Sequence, residues 1–194
     1  TYTYTDRATT EQKNGGIDIL VLGDGVVSVG ERAFAGIASL RQVTLGAGLR
    51  TLGEKVFYKC TALRSVTFGE SLQTIGDKAF YGCSALEAVS LPASLTDIGA
   101  YAFYRCIAIA SLDLGGTVSV GDAAFLGCVG IRRLSFSDSL RVIGKQSFRG
   151  CVGLESLVLP QTLETVGAHA LYGCPNQTLF LTAEEVPDGF DDRW

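Results

Sequence analysis

Cysteine recurs through this sequence at a nearly constant interval. The six cysteines lie at positions 60, 83, 106, 128, 151 and 174, so the spacings are 23, 23, 22, 23 and 23 residues. Intervals of about 20 to 50 residues are typical of solenoids, because one such unit cannot bury its own apolar face and must pack against its neighbours. This period constrains the fold more than any other feature of the chain.

Seven copies of one unit follow from the period. Each reads approximately L-x-x-V-x-L-x-x-x-L-x-x-I-G-x-x-A-F-x-G-C, and Ile37 takes the cysteine slot in the first copy. The copies begin at Ile17, Leu40, Leu63, Leu86, Ile109, Ile131 and Leu154. The position three residues before the cysteine slot holds phenylalanine in six copies and Leu171 in the seventh. Stacked copies would place these side chains in one continuous aromatic spine.

The "LxxVxL" segment of each copy predicts a short strand. Identical strands at a fixed interval pair in parallel, so we expect one long sheet about 30 Å across, with about 4.8 Å between strands. A glycine follows the second apolar run in all seven copies. Such uniformity indicates a backbone demand, either a positive φ or close approach of a neighbouring chain. One copy is shorter by a residue within 114–121, which predicts a surface turn there.

The unit resembles the leucine-rich repeat, and its "LPxxLxxIGxxAFxGC" form is similar to the BspA-like subclass of surface leucine-rich repeats. The resemblance implies a leucine-rich-repeat solenoid: a β-rich, right-handed superhelix with a parallel β-sheet, short strands and 3-10 turns. We expect a single domain over 1–194, with an N-terminal cap strand in 1–16, seven repeats in 17–176 and a C-terminal cap in 177–194. Phe190 and Trp194 would cover the apolar end of the last repeat.

The six cysteines allow three interpretations: metal ligands, disulfides or buried free thiols. Metal ligands commonly come in closely spaced pairs, whereas no two cysteines here are closer than 22 residues. Disulfides between neighbouring repeats would require distortion, because stacked side chains point the same way. Buried free thiols that act as small apolar residues are favoured, since Ile37 in the first copy can neither bridge nor bind a metal.

The sequence carries no catalytic motif, and we expect neither an enzyme nor a cofactor. It has no G-x-S-x-G elbow and no phosphate-binding glycine loop. The one histidine, His169, lies in a slot that varies between copies, which predicts that it faces solvent. The acids between 184 and 192 are expected to be a solvated cap rather than a cation site. The net charge of −4 argues against nucleic-acid binding, and no run of 18 apolar residues predicts a membrane span.

Two surfaces are candidates for partner binding. By the two-residue alternation of a strand, the third and fifth residues of each "LxxVxL" segment face away from the core. These residues, the sheet face, include Gln42, Thr44, Ser65, Thr67, Ser90, Ser111, Asp113, Arg133 and Ser135. The alternative is the slot after the phenylalanine, the tyrosine row, occupied by Tyr58, Tyr81, Tyr104 and Tyr172. Tyrosine offers a large amphipathic contact area at low entropic cost.

The array without a catalytic constellation predicts a non-enzymatic binding module for a protein or glycan partner. The family resemblance implies adhesion and binding of host or matrix proteins at a microbial surface, and hence an extracellular or cell-surface location. A passive spacer within a longer surface protein is the alternative, and a cytosolic scaffold is a third, compatible with free thiols. The chain contains no methionine, so we expect it to be part of a longer protein.

Overall fold

The computed structural model describes residues 2–4, 16–174 and 178–181, with only the backbone at 2–4, 88, 156 and 178–181. Over these residues the chain is a parallel β-solenoid made of short strands and turns, without a helix. The predicted leucine-rich-repeat solenoid is confirmed. The C-terminal plug predicted at Phe190 and Trp194, and the acids between 184 and 192, lie outside the described residues.

The "LxxVxL" segments form the strands of the first sheet, as predicted. They are Ile19–Val21 (β2), Gln42–Thr44 (β4), Ser65–Thr67 (β6), Ala88–Ser90 (β8), Ser111–Asp113 (β10), Arg133–Ser135 (β12) and Ser156–Leu159 (β14). An eighth strand, Thr178–Leu181 (β16), follows the last copy and pairs with β14. All of the pairings between them are parallel. The first sheet is divided into a four-stranded and two two-stranded segments, with β8 beside β10 and β12 beside β14.

A second parallel sheet corrects the prediction of one long sheet. Its strands are Tyr2–Tyr4 (β1), Val26–Val29 (β3), Thr51–Leu52 (β5), Thr74–Ile75 (β7), Asp97–Ile98 (β9), Ser119–Val120 (β11), Val142–Ile143 (β13) and Thr165–Val166 (β15). These eight strands form one uninterrupted sheet in chain order. Six of them are only two residues long, which is too short to show the alternation by which a strand is recognised.

The apolar slots of successive copies stack on one another inside the solenoid. The phenylalanine rings from Phe34 to Phe148 form the predicted spine, with neighbouring ring centroids 5.0–5.6 Å apart and planes within 19°. Five of these six rings are completely buried. Offset stacking of aromatic rings stabilises a core by about 0.5–1.5 kcal/mol per pair beyond the area it buries. The spine therefore ties adjacent copies together along the whole array.

The turn that carries the phenylalanine is held by two sets of backbone hydrogen bonds. Within a copy, Tyr81 N donates to Lys78 O at 3.1 Å and Cys83 N to Phe80 O at 3.1 Å. Between copies, Phe80 N donates to Ala102 O at 2.7 Å. Lys78 and Gly82 have positive φ, 55° and 71°. These residues interrupt the run of i→i+3 turns, so the segment is a series of tight turns instead of a continuous 3-10 helix.

The glycine that follows the second apolar run is needed because the backbones of successive copies approach closely there. A Cβ on Gly99 would lie 2.6 Å from Asp77 N and 2.7 Å from Gly76 C, where no carbon can fit. The backbone of Gly99 is not in the left-handed region. Of the two explanations that the sequence allowed, close approach therefore applies at this slot.

The shortened copy keeps its register through a buried threonine. Residues 115 and 116 form a half-exposed turn, and Thr117 follows in a slot that five other copies fill with leucine and the first copy with Val26. Thr117 is completely buried, and its hydroxyl donates to Leu114 O at 2.6 Å. The next strand, β11, still pairs in register with β9. The turn absorbs the missing residue, so the second sheet continues without a break.

Candidate functional site

The cysteines form the predicted ladder of buried free thiols. All six are free, and all but Cys174 are completely buried. Each thiol donates to the carbonyl of the phenylalanine 25 or 26 residues before it, at Sγ–O distances of 3.0–3.4 Å. The cysteine therefore contributes a donor between copies as well as an apolar surface. Among the described residues there is no group of His, Cys, Asp and Glu side chains that could hold a metal ion.

Burial keeps four of the thiols, from Cys83 to Cys151, protonated and unreactive. Loss of solvation raises the pKa of Cys128 to about 12, and it raises the pKa of Cys83, Cys106 and Cys151 well above the ordinary value. A nucleophilic cysteine needs a lowered pKa and access to solvent. These thiols have neither property, so the ladder supports the fold instead of forming a reactive site.

The sheet face is exposed as the alternation predicts. In β10 and β12 the first and third residues are exposed and the central leucine is buried, and β4 and β6 follow the same pattern with one residue half-buried in each. Parallel pairing places like slots side by side: Thr44 beside Thr67 and Asp113 beside Ser135. The predicted surface residues thus lie in two rows across the first sheet.

Three adjoining depressions run along the sheet face. The first, of about 500 Å³, lies between Ser65 and Ser111. The second, of about 770 Å³, shares Ser111 and reaches Arg133. The third, of about 680 Å³, extends from Ser135 to Val158. Small Ser and Thr side chains leave room for an extended partner along this line.

Charges border the sheet face, and apolar side chains lie at its ends. Arg132, Glu155 and the exposed Asp113 line the middle depression, so both signs of charge are available to a partner. The exposed fractions of Ile19 and Val21 in β2 are 61% and 66%, and that of Val158 in β14 is 53%. The face therefore offers polar contacts in its centre and apolar contacts at its two ends.

The structure brings together three of the four tyrosines in the tyrosine row. Tyr58, Tyr81 and Tyr104 stack with centroid distances of 4.9 and 4.5 Å. Tyr172 lies apart from them, because Leu126 and Arg149 occupy the slot in the two intervening copies. Burial, followed by the neighbouring tyrosines, raises the pKa of Tyr81 above its ordinary value. Its hydroxyl therefore stays protonated and can donate a hydrogen bond.

Two cations, Lys59 and Arg105, lie over tyrosine rings and were not among the predicted surface residues. Lys59 Nζ is 5.4 Å from the Tyr58 ring centroid, and the Arg105 guanidinium is 5.4 Å from that of Tyr104. Both residues occupy the slot before the cysteine, which is glycine in the other copies: Gly36, Gly82, Gly127, Gly150 and Gly173. The signal was present in the sequence as two long cationic side chains in a slot that is otherwise glycine.

The backbone conformation at the slot of His169 is constrained, although the residue type varies between copies. All seven of its residues adopt the left-handed conformation, with φ of 55–60°: Arg32, Lys55, Lys78, Tyr101, Ala123, Gln146 and His169. His169 is half-buried, and its ring meets that of Tyr172 edge to face at 5.5 Å. The prediction that this slot faces solvent is thus wrong for Ala123, which is buried.

No helix among the described residues has the length and apolar character needed to cross a bilayer.

Comparison with known families and structures agrees with this architecture. The family described as BspA type leucine rich repeat region matches residues 12–132 and 118–187, with six copies. Two crystal structures are similar: a leucine rich cell surface protein from Faecalibacterium prausnitzii, with TM-score 0.81, 24% identity and 90% of this chain covered, and a leucine-rich repeat protein from Bacteroides ovatus, with TM-score 0.75, 28% identity and 88% covered. The alignments cover 51% and 46% of those chains, so this chain spans about half their length.

A leucine-rich repeat protein from T. pallidum is also similar, with TM-score 0.63 and 27% identity over 88% of this chain and 71% of that one. Among curated proteins, no relative was found.

Proposed function

The chain belongs to the BspA-type leucine-rich repeat family, and from this premise we propose that it is a non-enzymatic module that binds a protein or glycan partner at a cell surface. The observation that carries the proposal is the sheet face, where exposed rows and adjoining depressions run from β6 to β14. Solenoids commonly use such extended surfaces for recognition. The similar F. prausnitzii protein is described as a cell surface protein, which supports the location.

The chemistry of the sheet face favours a broad, moderately polar contact. Ser and Thr side chains in the centre can both donate and accept hydrogen bonds. The apolar ends at Val21 and Val158 can bury surface, at about 25 cal/mol per Å². This combination of a polar centre and apolar ends suits an elongated partner laid across the strands.

A passive spacer is the second candidate. The continuous phenylalanine stack and the unbroken second sheet make the array suited to holding other parts of a longer protein at a distance. Small polar side chains are also what a sheet exposes when nothing binds to it. The two candidates differ in whether blocking the sheet face has any effect on binding.

The experiment uses two matched double variants. Thr44→Arg with Thr67→Arg places bulky cations on paired positions of the sheet face. The control, Thr51→Arg with Thr74→Arg, makes the same change on paired positions of the second sheet in the same two copies. Each pair has one exposed and one half-buried threonine, so the two variants match in charge and burial.

Binding to an array of extracellular-matrix proteins and glycans is measured for the original chain and both variants. We expect the sheet-face variant to lose at least tenfold in affinity, about 1.4 kcal/mol, and the control to stay within twofold. Equal loss in both variants, or unchanged binding by the sheet-face variant, would move the site away from this face. Absence of any binding by the original chain would favour the spacer.

A further inference from the structure

We propose that the stacked tyrosines and the cations beside them form a second binding surface, which takes a sulfated polysaccharide. This tyrosine–cation surface comprises Tyr58, Tyr81 and Tyr104 with Lys59, Lys78 and Arg105. It belongs to the turns that carry the phenylalanines and does not include the sheet face. The inference goes beyond the proposed function, and either of them can fail alone.

Cations exceed acids on this surface, although the whole chain has a net charge of −4. The turn segments 54–59, 77–82 and 100–105 contain four cations and two acids, a balance of +2. Glu54 forms an ion pair with Lys55, and Asp77 Oδ1 accepts from Ala100 N at 2.8 Å. Among the described residues no carboxylate pairs with Lys59, Lys78 or Arg105. Lys59 and Arg105 are therefore free to meet an anion, whereas Lys78 also lies within electrostatic reach of Glu54.

The tyrosines add neutral hydrogen-bond donors to the cations. Because the three rings stack face to face, their flat faces cover one another and are closed to a sugar ring. A hydrogen bond joins the side chains of Tyr81 and Tyr104, which places the two hydroxyls next to each other. Phenol donors and cations together suit sulfate oxygens, which accept charge-assisted hydrogen bonds.

The spacing of the cations favours a polysaccharide over an acidic peptide. Lys59 and Arg105 occupy the same slot two copies apart, about 10 Å at the usual separation of parallel strands. This is close to the length of one disaccharide repeat, the unit in which sulfates recur on a polysaccharide. Along an extended peptide, side chains on one side recur about every 7 Å, which does not match.

A depression beside the cations has room for a sugar ring. Gly82, which lies between Lys59 and Arg105 in the same slot, has no side chain to fill the space. A depression of about 500 Å³ is lined by Gly82, Arg105 and the exposed side chains of Ile107 and Val129. The apolar wall suits the C–H face of a sugar, while Arg105 at its edge suits a sulfate.

The test measures binding of heparin oligosaccharides, with chemically desulfated heparin as the comparison probe. The variant Lys59→Gly with Arg105→Gly removes both cations and introduces the residue that five other copies use in this slot. Gly82 and Gly127 have φ of 71° and 74° there, and Lys59 and Arg105 have φ of 57° and 54°, so the variant should keep the fold. The control, Arg41→Ala with Arg64→Ala, removes two exposed cations beside the first sheet.

A second variant, Tyr58→Phe with Tyr81→Phe and Tyr104→Phe, removes the hydroxyls and retains the ring stack. We expect the Lys59/Arg105 variant to lose at least tenfold in heparin affinity, the phenylalanine variant about threefold, and the control less than twofold. Desulfated heparin should bind at least tenfold more weakly than heparin. Thermal unfolding of each variant verifies that it is folded.

Four results would overturn the proposal: no binding of heparin by the original chain at physiological salt, equal loss in the control, equal binding of desulfated heparin, or full displacement of heparin by polyglutamate of matched length. The last result would indicate an acidic peptide as the partner. Equal loss in the control would place the heparin site beside the first sheet, whereas the other three results do not bear on the sheet face, whose test uses other variants.

Discussion

Replacement of Gly99 by alanine tests whether close packing of backbones sets the period of this solenoid. Gly99 lies in the middle of the array, where an added Cβ would meet Asp77 N and Asp77 Oδ1 at 2.6 Å and Gly76 C at 2.7 Å. These atoms are backbone or are tied to backbone, because Asp77 Oδ1 accepts from Ala100 N. The Cβ can therefore be accommodated only if one copy moves away from the next.

The expected cost has three parts. Overpacking costs about 2 kcal/mol, and weakening the hydrogen bond from Ala100 N to Asp77 costs about 1 kcal/mol. Reduced entropy of the unfolded chain offsets about 0.5 kcal/mol. The free energy of unfolding should fall by about 2.5 kcal/mol, which lowers Tm by about 8 °C in a chain of this size.

Gly82→Ala is the matched control, because Gly82 has a left-handed backbone and no close contact with a neighbouring copy's backbone. Gly82 has φ of +71°, and the nearest atom to an added Cβ is Lys59 Cγ at 3.5 Å. The left-handed conformation costs an alanine about 1 kcal/mol, and the same entropic term offsets about half of it. Lys59 and Arg105 already adopt this conformation in equivalent slots.

Urea unfolding followed by far-UV circular dichroism, together with thermal unfolding, measures both variants. If close approach sets the period, Gly99→Ala is the less stable of the two by at least about 1 kcal/mol. If Gly82→Ala is equally or more damaging, the added Cβ at Gly99 is accommodated without moving one copy from the next, and the close-approach explanation is wrong.

The thiol ladder and the phenylalanine spine give three further predictions. A disulfide-exchange reagent at pH 8 should modify all six thiols in unfolded, unreduced protein but leave Cys128 unmodified in folded protein; a count below six after unfolding would contradict the free-thiol ladder. Burial raises the pKa of Cys128 from 9.0 to about 12. The stabilising contribution of this thiol is therefore complete below pH 9 and is lost as the pH rises to 12. Urea unfolding at a series of pH values would detect the loss as falling stability. Phe103→Ala should cost about 4 kcal/mol, whereas Phe103→Leu should cost about 1 kcal/mol, since Leu171 fills this slot in the last copy; equal destabilisation in urea unfolding would show that the slot requires the aromatic ring and not only its apolar volume.

Repetition made much of the fold predictable. Seven equivalent slots show which residue types a position accepts, so Ile37 in a cysteine slot indicates from the sequence alone that the slot serves apolar packing. The outward alternation at Thr44 and Thr67 followed for the same reason. The second sheet escaped prediction because its strands, such as Thr74–Ile75, are too short to carry a period of two.

The backbone conformation of single slots was harder to predict. Variability at Lys78, Tyr101 and Gln146 indicated a slot free of constraint, yet all three are left-handed, with φ of 55–58°. The hydrogen bonds between successive turns impose that conformation on whichever side chain is present. Likewise, Lys59 and Arg105 directly follow Tyr58 and Tyr104 in the sequence, but the three tyrosine rings beside them come together only when the copies stack.

The thiol–carbonyl contact gives each internal copy one donor for the copy before it and one acceptor for the copy after it. Duplication or loss of a whole internal unit leaves every such pair matched. The fold can therefore lengthen or shorten by recombination within its own gene without creating an unsatisfied buried group. The recognition surfaces, which depend on particular residues in particular copies, would be altered by the same event, so stability and specificity are free to evolve separately.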